Sequence, residues 1–146
     1  MALYTVAALM ADFLDLLRER YEIEPTIRYF RAEDVAELPT APAYYIEPGT
    51  LTLNRLNVGS PQAVQTIRLL SEFRVDYANA AEELETTRAF FEKVARDLLR
   101  EPRAIENAFF QSAQTFADAP SGFSVSVLED GVSAIYGGVE FTFSLG

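Results

Sequence analysis

Residues 64–100 constrain this chain more than any other stretch, because they join a long two-faced strand almost directly to a long amphipathic helix. Over residues 65–77 the odd positions read Gln65, Ile67, Leu69, Ser71, Phe73, Val75 and Tyr77. The even positions read Thr66, Arg68, Leu70, Glu72, Arg74 and Asp76. Successive side chains of a strand point to opposite sheet faces, so the alternation predicts one apolar face and one charged face. A sheet packed on one side and wet on the other is antiparallel or mixed. Asn79, three residues before Glu82, predicts a capping arrangement at the head of a helix over residues 79–100. Leu84, Thr87, Phe91, Val94, Ala95, Leu98 and Leu99 make its inward side, and Glu101-Pro102 ends it.

Around this centre the chain predicts an α+β domain. A helix over residues 3–20 carries Leu3, Val6, Met10, Phe13, Leu14 and Leu17 at three- and four-residue steps. Pro25 closes it, and short strands follow at residues 26–31 and 42–47, the second ended by Pro48-Gly49. Residues 50–61, with Leu51, Leu53, Leu56 and Val58, read as a weak hairpin or loop projecting between two strands. Residues 103–116 read as a second, shorter helix with Ile105, Ala108, Phe109, Ala113 and Phe116 on one face. The last part reads as a hairpin, with Phe123, Val125 and Val127 leading to an Asp130-Gly131 turn and a returning strand. Gly137-Gly138 predicts a bulge or bend in that strand. The expected order is α-β-β-β-α-α-β-β, a mixed or mainly antiparallel sheet with helices on one face and one domain over residues 1–146.

Composition narrows the chemistry. Cysteine and histidine are both absent, which removes thiolate chemistry and the commonest general acid/base and metal ligand at neutral pH. No Gly-rich phosphate loop, serine elbow or paired-carboxylate signature is present, so no catalytic residue, cofactor or metal ligand is assigned and no enzyme is expected. Asp12 and Asp15 lack companion ligands and read as a solvated helix face. Of Tyr44 and Tyr45, adjacent on a strand, one is expected in the core. Twelve basic against 22 acidic residues give a net charge of −10, which opposes non-specific nucleic-acid binding. The first apolar stretch is interrupted by Asp12 and Asp15, so a soluble chain without a targeting segment is expected.

The arrangement as a whole resembles the tail terminators of tailed phages, the class of minor tail protein U. The likeness runs from the amphipathic N-terminal helix to the Pro-flanked strand Leu38-Pro39-Thr40-Ala41-Pro42-Ala43-Tyr44-Tyr45-Ile46 and the strand–helix unit of residues 65–100. It ends on Tyr136-Gly137-Gly138-Val139-Glu140-Phe141-Thr142-Phe143. The resemblance implies a structural virion protein of the tail or neck, found in the host cytoplasm during assembly. Six copies would form a ring that caps the tail tube, stops its polymerisation and offers a docking surface to the head connector. Its partners would be copies of itself, the tube protein, the connector and, in a contractile tail, the sheath, with DNA only passing through the lumen. Candidate subunit or tube contacts are Leu51, Leu53, Arg55 and Leu56 on the projecting segment and Arg68 and Arg74 on the polar strand face. An acidic bore would repel DNA phosphates. Glu101-Pro102-Arg103 also resembles a triplet of the baseplate sheath-initiator family. That family carries a Gly-Glu-Arg-like stretch and a strand directly after the triplet, whereas here neither is present and residues 104–116 read as helical. Other neck or baseplate roles are alternatives, as is a small-molecule-binding α+β domain with its pocket between the sheet and the helix of residues 79–100.

Overall fold

The first helix starts where Thr5 lends its hydroxyl to the backbone amide of Ala8, at 3.2 Å. In the computed structural model, which describes residues 4–29, 38–57, 60–115, 123–127 and 132–145, side chains are described except at 54–57, 60–62 and 123–127. Helix α1 spans Val6–Tyr21, and α2 spans Ala80–Arg100. The strands are β1 (Thr26–Ile27), β2 (Tyr44–Asn57), β3 (Ser60–Asp76), β4 (Ala108–Thr115), β5 (Phe123–Val127) and β6 (Val132–Leu145). They form one sheet in the order β1-β2-β3-β6-β4, with β5 also paired to β6. Strands β4 and β5 share the outer side of β6 in tandem, because β4 meets residues 139–145 and β5 meets residues 133–137. Among the described residues only the β1–β2 pairing is parallel, so the sheet is mixed and the chain is a single α+β domain.

The core lies on the face predicted by the odd positions of β3. Ile67, Leu69 and Phe73 are buried there, beside Ile46 of β2 and Ile135, Val139, Phe141 and Phe143 of β6. Leu9, Met10, Phe13, Leu16 and Leu17 of α1 join the same cluster as Phe91, Val94 and Leu98 of α2, so both helices cover this one face. Phe13 sits 5.3 Å from Phe141 between ring centroids, and Tyr44 sits 5.2 Å from Phe90. Burying one such aromatic is worth roughly 1.5–3 kcal/mol, and these contacts fix the helices over the sheet.

Several expectations are corrected. Residues 103–116 are not a helix. After a turn at 102–107 the chain becomes β4, in which Ala108 and Phe110 are buried and Phe109 is exposed. The apolar spacing fitted either period, and pairing with the free side of β6 decided it. Phe116 lies outside the described residues, and the order becomes α-β-β-β-α-β-β-β. Leu99 is exposed, not inward. Asn79 makes no side-chain cap, because a 3-10 turn at Tyr77–Asn79 leads directly into α2. The strand expected at residues 26–31 is only Thr26–Ile27, and Arg31 lies outside the described residues. The Asp130-Gly131 turn does too, although β5 and β6 pair as the hairpin requires.

Pro48-Gly49 does not end its strand. It begins a bulge in which Pro48 opposes Ile67 and Leu51 opposes Gln65, so Gly49 and Thr50 face the single residue Thr66. A Cβ on Gly49 would stand 2.1 Å from the Thr66 hydroxyl oxygen, which accepts the Thr50 amide at 2.7 Å. The extra residue switches phase, so Tyr44 and Ile46 before it and Leu51 and Leu53 after it take the helix side. Gly137-Gly138, by contrast, forms no bulge against β3, since the β3–β6 register runs unbroken from Ala63 to Asp76. Gly138 answers a close approach, because a Cβ there would lie 2.1 Å from the Leu69 carbonyl oxygen.

Candidate functional site

Residues 50–57 and 60–61 belong to the far part of a long β2–β3 hairpin, and Val58 lies outside the described residues. Strand β6 supports β3 only as far as Ala63, which pairs with Leu145. Beyond that row no other strand among the described residues pairs with the hairpin, and residues 54–57 carry it about 13 Å past the sheet at ~3.3 Å per residue. A two-stranded ribbon with no third strand is marginal by itself.

At its root the core face runs on beside the start of α1 and is only partly covered there. Leu51 is 52% exposed and Leu53 71%, and with Val6, Ala63 and Leu145 they line an open apolar groove of about 370 Å³. The candidate residues therefore divide by location. Leu51 and Leu53 are brought together on this shelf. Arg55 and Leu56 lie on the free part of the arm, where the strand path is described and their side chains are not.

Arg68 and Arg74 belong to the other sheet face, and both are engaged. Arg68 bonds Glu140 on β6 at 3.1 Å, opposite Glu47 in register on its other side. Arg74 donates its Nε to the Leu38 carbonyl at 2.9 Å, while its amide bonds the Pro39 carbonyl at 2.7 Å. Arg74 thereby fastens the Pro-flanked segment along β3, continuing the line of β2.

Sequence reading missed the tightest polar cluster on that face. Arg28, just after β1, bonds Glu47 of β2 and Glu72 of β3, each at 2.5 Å, and its guanidinium stacks 3.9 Å from the centre of the Tyr45 ring. The partners stand 19 and 44 residues away, so no local pattern announces them. Glu72 is buried beneath them. Its two carboxylate neighbours hold the Arg28 guanidinium above its ordinary pKa against the opposing effect of burial, which is the largest single influence. As expected, the two adjacent tyrosines part, with Tyr44 packed on Phe90 and Phe91 and Tyr45 on the polar face.

Counting Arg28, Arg68 and Arg74 against Glu47, Glu72, Asp76 and Glu140, this described face carries three positive and four negative charges, a difference of −1. It is nearly balanced and heavily paired, a poor fit to an acidic wall.

The acid excess lies elsewhere, for instance in the cleft of α1 and the 102–107 turn, where Asp12, Asp15, Glu19 and Glu106 face Arg20. There Tyr4 donates its hydroxyl to Asp12 at 2.6 Å, and burial first, then this bond, raises the Tyr4 pKa. Among the described residues no group of three or more acidic side chains is placed to hold a metal ion, and no helix is long and apolar enough to cross a membrane. No protein-family model and no curated protein sequence matches the chain.

Proposed function

We propose that the protein is a structural assembly subunit, a tail-terminator-type ring component that associates with copies of itself and caps a phage tail tube. The observation that carries this reading is the projecting β2–β3 arm with its exposed apolar root, Leu51 and Leu53. An apolar shelf open to water beside an unsupported ribbon is an unfinished layer, and contact with another protein completes it. A ring needs heterologous contacts that close by rotation, and a protruding arm on one side of each subunit is suited to that. The polar face, locked by Arg28, Arg68 and Arg74, supplies the stiff plate from which the arm extends.

The test is tube growth. Tail-tube protein polymerised with the purified protein is expected to give short tubes bearing a ring at one end in negative-stain images. Tubes of unchanged length with bare ends at saturating protein would overturn the reading.

One observation favours a second reading. The Glu101-Pro102-Arg103 triplet is followed, after the rest of the turn at 102–107, by strand β4 instead of the expected helix, which is nearer to the sheath initiators, whose strand comes directly after the triplet. In that case the protein sits at the baseplate end. Gold-labelled protein on assembled particles separates the two, since a terminator marks the head-proximal end and an initiator the opposite one.

A further inference from the structure

We propose that copies of this chain join edge to edge, the outer side of the β2 arm in one copy adding as a strand to the outer side of β4 in the next. The inference takes only the identity of the neighbour, a second copy, from the ring reading. Among the described residues both edges are open. Strand β1 occupies β2 only at Tyr45 and Ile46, and among the described residues nothing pairs with the outer side of residues 51–57. At the other end of the sheet, the Pro102 carbonyl takes the Phe110 amide, and no described backbone group pairs with the outer side of residues 111–115. Unpaired amides and carbonyls on a strand edge are a template for another strand, and proteins usually guard them with charge or proline. Strand β4 has neither, for no charged residue occurs between Glu106 and Asp118.

Charge selects the partner. Two copies, each at −10, repel wherever carboxylates face each other. The chain has no acidic residue between Glu47 and Glu72, the stretch that holds the arm, and none along β4. A second copy can therefore pair along these two edges without meeting a carboxylate on either strand, the nearest being Glu92 on α2.

Shape agrees. Leu51 and Leu53 lie on the helix side of the sheet, as does Ala113, which pairs with Phe141. Between α2 and β4 on that side runs a groove of about 290 Å³ with Phe91, Ala95, Ala113 and Val139 in its lining and Arg88, Glu92, Gln114 and Thr115 also along it. A neighbour added with its helix side aligned brings its leucines to this groove.

The register also permits closure. The open part of β4 and the open part of the arm are offset by about five residues, about 17 Å along the strands, while the four strands that each copy adds, β2, β3, β6 and β4, span about 19 Å. Such a stagger corresponds to a strand tilt of about 40°, inside the roughly 35–45° of closed sheets.

Two substitutions at exposed positions test the contact, Leu53→Glu on the arm and Thr115→Glu on β4. Sedimentation equilibrium from micromolar to millimolar protein is expected to show the wild type self-associating and each variant at least tenfold weaker, with circular dichroism unchanged. Mixing the two variants is expected to give a 1:1 heterodimer and nothing larger, because one intact arm then meets one intact β4 edge. A wild type that stays monomeric, a variant that associates normally, or a mixture that fails to pair overturns the proposal. Association that passes these tests while tube ends stay bare would remove the terminator reading and leave this contact standing.

Discussion

Arg28 shows how much one side chain can hold. Its guanidinium joins three strands, bonding Glu47 on β2 and Glu72 on β3 from the end of β1 and lying flat on Tyr45. Substituting Arg28→Ala removes two charge-assisted hydrogen bonds and leaves the buried Glu72 without one of its partners. The expected loss is about 3 kcal/mol, read as a lower urea midpoint at unchanged slope. An exposed pair such as Glu92 and Arg96, 2.8 Å apart on α2, is expected to contribute no more than ~0.5 kcal/mol by the same measurement. Burial separates the two cases, because water already serves the exposed pair well.

At the scale of elements, the bulge at Gly49 and Thr50 governs the arm. Without it, the alternation that puts Tyr44 and Ile46 in the core would turn Leu51 and Leu53 onto the polar face. The arm itself makes little use of the core. Replacing residues 54–62 with an Asn-Gly turn is expected to shift the stability by no more than ~0.5 kcal/mol in a thermal melt while abolishing self-association. Global unfolding of that variant would show that the arm is part of the fold. The same scale explains the misassigned helix at residues 103–116. Ile105, Ala108, Phe109 and Ala113 satisfy a helical stripe, but Ala108 and Phe110 also alternate, and the side of β6 left open by β3 needed a strand.

Across the whole molecule, charge is segregated. The arm and β4 are free of carboxylates, whereas the cleft beside α1 gathers Asp12, Asp15, Glu19 and Glu106. Association through the acid-free edges must still overcome repulsion between the −10 bodies. Raising salt from 20 to 500 mM shortens the screening length from about 20 Å to about 4 Å. Self-association is therefore expected to tighten severalfold, read by sedimentation. A contact built on ion pairs would weaken instead.

The sequence by itself determined the fold class, the two-faced strand and the helix after it, because alternation at two residues and a stripe at 3.6 are local consequences of backbone geometry. It also marked Leu51 and Leu53 as apolar residues in an unexplained place, and they are exposed. What it could not carry were decisions made between distant segments. Only the tertiary structure placed β4 on the open side of β6, gathered Arg28, Glu47 and Glu72 on one face, and tied Arg74 to the Leu38 carbonyl. In strand β3, Arg68 and Arg74 are bound to Glu140 and Leu38 and are not free contacts. The far end of β3, where β6 stops at Leu145 and no other described strand pairs with the hairpin, became the part that faces a partner. Pairing across a sheet depends on which edges remain unsatisfied once everything else has packed, and that is a property of the assembled chain.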